Sequence, residues 1–223
     1  MFFSLILGTL IHLLGLFISK CFFYLRIKGI VTNKRLFFLI NPQLGYDIPT
    51  IIGTIVCLSA IDFEYLDYLP TSLSLPIIVL FGLLGFLLPI IVWKFNGKTI
   101  KFRGALLKSI DSLVFLPMVA LCEEILWRLI FPFFILNQIF DSRAIVILFS
   151  SVGFILLHWS IRGVNVLAYM TLFTFFAWLS FLYAGIVGAA VFHIVHNLVI
   201  KAFRPVTRKT HLSSLPPASQ TEW

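Results

Sequence analysis

Charge is what this sequence has least of. Only 12% of its 223 residues are charged, whereas 60% are hydrophobic and the mean hydropathy is +1.05. A soluble domain carries about a quarter charged residues, so a water-exposed shell is excluded and a chain built for lipid is expected. Cysteine is scarce as well. Cys21, Cys57 and Cys122 are too few and too scattered for a disulfide framework or a thiolate metal site, and each lies in or beside an apolar run as a packing residue. The N-terminus has no basic n-region and no A-x-A site, so a retained first span is expected in place of a removable signal peptide. No internal repeat and no HExxH helix occurs.

What is present are long apolar runs. A span needs about 20 apolar residues to cross roughly 30 Å of hydrocarbon. Seven segments meet or approach this: Phe2–Ser19, Pro49–Tyr65, Ser74–Trp93, Leu113–Phe140, Ala144–Ser160, Val164–Ala184 and Ile186–Ile200. The second is short, and Pro117 and Pro132 are placed to bend the fourth. The expected fold is an all-α, polytopic helix bundle. Residues 1–112 form an accessory N-terminal region of about three spans, 113–200 a four-helix core, and 201–223 a basic, disordered tail.

The few charges test this arrangement. With the N-terminus outside, all but two of the 17 basic residues fall inside: Lys20 to Arg35, Lys94 to Lys108, Arg162, and the tail from Lys201 to Lys209. Arg143 alone lies outside, with Asp62, Glu64, Asp67 and Asp141. That asymmetry follows the positive-inside rule and places the C-terminus in the cytoplasm. The net charge of +8 is then explained by topology and lipid headgroups, without nucleic acid.

Arg128 is the remaining cation, inside the fourth span with Glu123 and Glu124. An ionised residue at a helix centre costs about 2.5–3.5 kcal/mol on insertion scales, so three within six positions must face a polar interior. Glu124 and Arg128, spaced i, i+4, can pair along one face. Glu123, displaced by about 100°, is left for chemistry. The fifth span carries Phe154 and His158, also i, i+4. In the seventh, His193 and Asn197 share a face, whereas His196 is offset, as a structural or headgroup-facing residue. Glu123 lies about 15 Å and His193 about 10 Å from the cytoplasmic helix ends at 1.5 Å per residue. Carboxylate, imidazole and amide groups thus meet in the inner half of the bilayer, in a cavity opening to the cytoplasm. Such a set suits acid–base hydrolysis better than packing.

The motifs Glu123-Glu124-Ile-Leu-Trp-Arg128, Phe154-Ile-Leu-Leu-His158 and His193-Ile-Val-His-Asn197 match EExxxR, FxxxH and HxxxN. In that order on successive helices, they resemble the CAAX-prenyl-protease and bacteriocin-processing family, which includes the type II CAAX prenyl endopeptidases. The resemblance covers about Leu113 to Ile200, and departs mildly where Leu129 follows Arg128 and many members have glycine. It implies an intramembrane endopeptidase in which Glu123 and His158 activate water and His193 and Asn197 hold the oxyanion. Glu124 and Arg128 would be the supporting pair, with Phe154 packed beside His158. The substrate would be a membrane-associated, in some relatives prenylated, protein or peptide. The chain itself ends Thr-Glu-Trp without a CaaX box. Relatives are often called metalloproteases. No cofactor is required on the present reading, with a divalent metal such as zinc left as the alternative. A proton- or ion-coupled transporter and a silent membrane scaffold are the competing functions.

Overall fold

The computed structural model describes residues 1–29, 40–61, 74–102, 110–162 and 166–207. The helices are α1 (Phe2–Ile27), α2 (Pro42–Leu58), α3 (Leu75–Phe95), α4 (Ile110–Glu124), α5 (Arg143–Arg162) and α6 (Leu167–Ala202). A π-helical stretch (Ile125–Ile135) and a 3-10 turn (Leu136–Gln138) continue α4. Of these helices, α1, α3 and α6 are long and apolar enough to cross a membrane. The protein is an integral membrane protein. Lys34, Arg35, Asp62, Glu64, Asp67, Arg103, Lys108, Arg208 and Lys209, used in the charge argument, lie outside the described residues.

The predicted sixth and seventh segments form one element, α6, broken where the two were expected to part. Ala184 (φ −135°, ψ 17°) and Gly185 (φ 61°, ψ −159°) leave the helical region. A positive φ is tolerated by glycine at no steric cost. The break turns the chain back on itself: the Tyr169 hydroxyl meets the His196 ring, 27 residues on, and the rings of Phe173 and Phe192 lie 5.1 Å apart. An unbroken helix would hold Tyr169 and His196 about 40 Å apart.

Antiparallel α1 and α2 pack through glycine. A Cβ on Gly8 would collide with Cys57 and the carbonyl of Gly53, and one on Gly15 would come within 3.1 Å of Pro49. Small residues allow this backbone approach, the usual basis of helix association in lipid, where no hydrophobic drive separates helix from solvent. Gly85 plays the same part between α3 and the second arm of α6, where a Cβ would strike the carbonyl of Phe192. Cys57 and Cys122 are buried among packed helices, in keeping with their reading as packing residues.

Four expectations need correction. The fold is mostly helical but not all-α, because β1 (Lys98–Phe102) pairs antiparallel with β2 (Phe203–Thr207). The tail thus begins as a strand, and residues 208–223 lie outside the described residues. The first helix reaches Ile27, eight residues past the expected Ser19, because the exposed Lys20 and the half-buried Arg26 are both good helix formers. The second helix starts at Pro42 and not near Pro49. Asn41 caps it, accepting from the Gln43 N–H at 3.1 Å, and Pro42 takes the first turn, where its missing N–H is harmless. Hydropathy placed this start too late because Asp47 looks like a loop residue. It is buried, with Gln43 Nε2 donating to it at 2.7 Å.

The fourth segment is distorted, as its prolines suggested, but by a wider helix. In a π register the carbonyl of Trp127 would accept from residue 132, which is Pro132 and has no N–H. The fully buried Ser150 of α5 supplies the missing donor, its hydroxyl lying 2.5 Å from the Trp127 oxygen. Pi-helical turns are rare and concentrate at functional sites. Here the stretch begins immediately after Glu123 and Glu124.

Candidate active site

Glu123 and Glu124 are the last residues of α4, both buried, and Arg128 follows one turn later with no exposed surface. The expected i, i+4 pair forms: Arg128 Nε lies 3.4 Å from Glu124 Oε2. The guanidinium is otherwise flanked by aromatic faces, with Phe154 4.7 Å and Trp178 5.4 Å from its carbon. Cation–π attraction strengthens when both partners are desolvated, so these rings replace part of the lost hydration.

His193, from the second arm of α6, joins the two glutamates. Its Nδ1 lies 2.7 Å from Glu124 Oε1 and its Nε2 3.5 Å from Glu123 Oε2. A carboxylate accepts only, so Nδ1 carries a proton in the neutral and the cationic ring alike. Nε2 is then the nitrogen at which a proton can come and go, and it faces Glu123. The opposite oxygen of Glu123, Oε1, accepts from the hydroxyl of Tyr46 on α2.

Phe154 is the common wall. Its ring lies 4.4 Å from His158, 6.4 Å from His193 and 6.0 Å from Trp127, all between centroids. His158 is half-buried, and its Nδ1 lies 2.9 Å from the carbonyl of Phe154. A carbonyl can only accept, so Nδ1 bears the proton and Nε2 keeps the basic lone pair in the neutral ring.

Of the two readings for His196, the buried structural one holds, since only 4% of its surface is exposed. Its Nδ1 lies 3.2 Å from Asn197 Oδ1, and its Nε2 receives the Tyr169 hydroxyl. With Oδ1 occupied as an acceptor, Asn197 presents its amide N–H groups as donors. His193 and Asn197, expected to act from one face, are thus each oriented by a different neighbour: Glu124 for the first and His196 for the second.

Glu123, Glu124, Arg128 and His193 therefore form one connected buried set, and Phe154 links it to His158. Sequence reasoning missed Tyr46, His12 and Tyr169. His12 gave a signal, because an ionisable residue inside an apolar span is a functional candidate on the same grounds as Glu123. Tyr46 and Tyr169 gave none, since tyrosine is common at membrane interfaces.

A zinc centre for hydrolysis needs three protein ligands and an open position. Among the described residues no three His, Cys, Asp or Glu side chains converge as such a set, and both oxygens of Glu124 already face Arg128 and His193.

Comparison with curated proteins and with solved structures gave no match. A family model described as "Type II CAAX prenyl endopeptidase Rce1-like" matches residues 102–199, which span α4, the π-helical stretch, α5 and nearly all of α6. Every residue of the three motifs lies within that match, and the segment carrying this buried glutamate–histidine centre is similar to the Rce1-like family, a family of proteases.

Proposed function

We propose that this protein is an intramembrane endopeptidase that hydrolyses a peptide bond in a membrane-associated protein or peptide. The observation that carries the reading is the hold on Glu123. A buried carboxylate fixed by the Tyr46 hydroxyl at one oxygen and faced at the other by His193 Nε2, the nitrogen that bears a proton in the imidazolium, is placed to receive a proton and return it. Glu123 and His158 take up a water between them, and Glu123 removes its proton as the oxygen bonds to the scissile carbonyl carbon. His193, through Nε2–H, and Asn197, through its amide, donate to the resulting oxyanion. The carbon–nitrogen bond then breaks, and Glu123 passes its proton to the departing amine. Glu124 and Arg128 keep His193 oriented, and Phe154 holds the His158 ring.

The family name supplies a prenylated CaaX C-terminus as one candidate substrate. The test is proteomics of membranes from cells expressing wild type or Glu123→Gln. Peptides or new termini dependent on wild type would identify the substrate, and indistinguishable profiles would return the chain to the scaffold reading. No metal takes part in this mechanism. Purified enzyme should keep turning over a peptide from that set after chelation. Loss of turnover restored by added zinc, with zinc bound one to one, would refute the metal-free route.

The proposed topology has seven spans, the N-terminus outside, the C-terminus cytoplasmic, and the site opening to the cytoplasm. It is supported by the basic residues Lys94 at the end of α3, Lys98 and Lys101 in β1, Lys201 at the end of α6 and Arg204 in β2. In a cysteine-free background, Leu66→Cys should label from outside only and Lys98→Cys from inside only. Labelling of both from one side is incompatible with this arrangement.

A further inference from the structure

All groups in the proposed mechanism come from residues 123 to 197, yet the first two helices reach the same carboxylate. We infer that Tyr46 is a positioning residue for Glu123, braced by a polar chain that runs through Thr50 and His12 back to the helix carrying Glu123. The inference rests on the protease reading and extends it to α1 and α2.

The chain can be followed proton by proton. The Trp127 indole N–H can only donate, and it lies 3.1 Å from His12 Nε2. His12 must therefore accept there and carry its proton on Nδ1, which lies 3.0 Å from Thr50 Oγ1. Thr50 accepts that bond and donates its own hydroxyl to the carbonyl of Tyr46 at 2.8 Å. The Tyr46 hydroxyl closes the ring by donating to Glu123, four residues before Trp127. One tautomer of one histidine satisfies every member. His12 and Thr50 are buried, and the His12 ring meets Tyr46 and Trp127 edge-on at 5.8 and 6.0 Å. Glycine makes this possible, because a Cβ on Gly53 would collide with the carbonyl oxygen of Gly8, stand 3.1 Å from the backbone nitrogen of His12, and force α1 away from α2.

A closed circuit of this kind restricts motion where an isolated contact would not. Glutamate has three side-chain torsions, and the contact with His193 is 3.5 Å long. Tyrosine has two torsions and a rigid ring, and here the turn of helix that bears it is pinned as well. The circuit also ends on the group proposed to move the proton. A purely architectural network has no reason to end there.

The experiment uses full-length protein in liposomes, with Tyr46→Phe, Glu123→Gln and the double variant, and a peptide from the Glu123-dependent set as substrate. Tyr46→Phe keeps the ring and removes one hydroxyl. It should stay folded with a modest fall in melting temperature, keep KM, and lower kcat about 10- to 100-fold, as expected when a reacting group loses its alignment. Wild-type kcat for Tyr46→Phe beside an inactive Glu123→Gln would overturn the role of Tyr46 and leave the protease reading standing. Full turnover by Glu123→Gln would instead overturn the protease reading itself. Melting temperatures test the contact without any substrate. The shifts of the two single variants should be non-additive in the double variant, because neighbours that touch are coupled. Additive shifts would overturn the inference.

Discussion

Glu123→Gln should abolish turnover while leaving the protein folded, with a loss of about 10²- to 10⁴-fold, the usual contribution of a general base. Glutamine has the same shape and can still accept from Tyr46 at its carbonyl oxygen, so the packing of α2 against α4 is retained. Its amide has no basic site from which to remove a proton. The check is single-turnover cleavage of the identified peptide alongside a melting curve. Activity within a few-fold of wild type would remove Glu123 from the chemistry. A collapsed melting curve would show that its role is structural.

Arg128→Ala should act in the opposite way, through stability. Arg128 and Glu124 are both completely buried, and the arginine fills a slot between the rings of Phe154 and Trp178. Truncation leaves Glu124 with His193 as its remaining charged contact and opens a cavity beside two aromatic rings. Removing one partner of a buried pair costs about 3–5 kcal/mol, which corresponds to a fall in Tm on the order of 10 °C. Arg128→Ala combined with Glu124→Gln should recover part of this loss by neutralising the stranded carboxylate. Arg128→Lys should recover less than its charge suggests, since an ammonium cannot lie flat between two rings. Wild-type melting and full activity for Arg128→Ala would refute this division of labour between the two glutamates.

Much of the fold was legible from hydropathy, but unevenly. The break between the two arms of α6 was expected at Ala184–Ile186 because Gly185 interrupts two apolar runs, and it lies there. The start of α2 was misplaced because hydropathy scores Asp47 as exposed, while a neighbouring glutamine satisfies it inside the protein. The strand pair was invisible. Five-residue strands rich in Lys, Arg and Pro give no clear alternation, and their pairing joins residues about a hundred positions apart.

The sequence by itself determined the solvent, the helical segments and the residues too polar for lipid. Charge scarcity, apolar run length and the i, i+4 spacing of Glu124 with Arg128 depend only on local order along the chain. Tertiary structure alone decided the partners. Helical periodicity assigns a residue to a face, but which helix lies opposite that face depends on packing between distant segments. His193 bridges Glu124 and Glu123, and Asn197 on the same face is held by His196. Tyr46 reaches Glu123 across 77 residues of chain because α2 packs against α4. Ser150 meets the carbonyl of Trp127 because Pro132 cannot, and a bare acceptor in a buried helix must find its donor elsewhere.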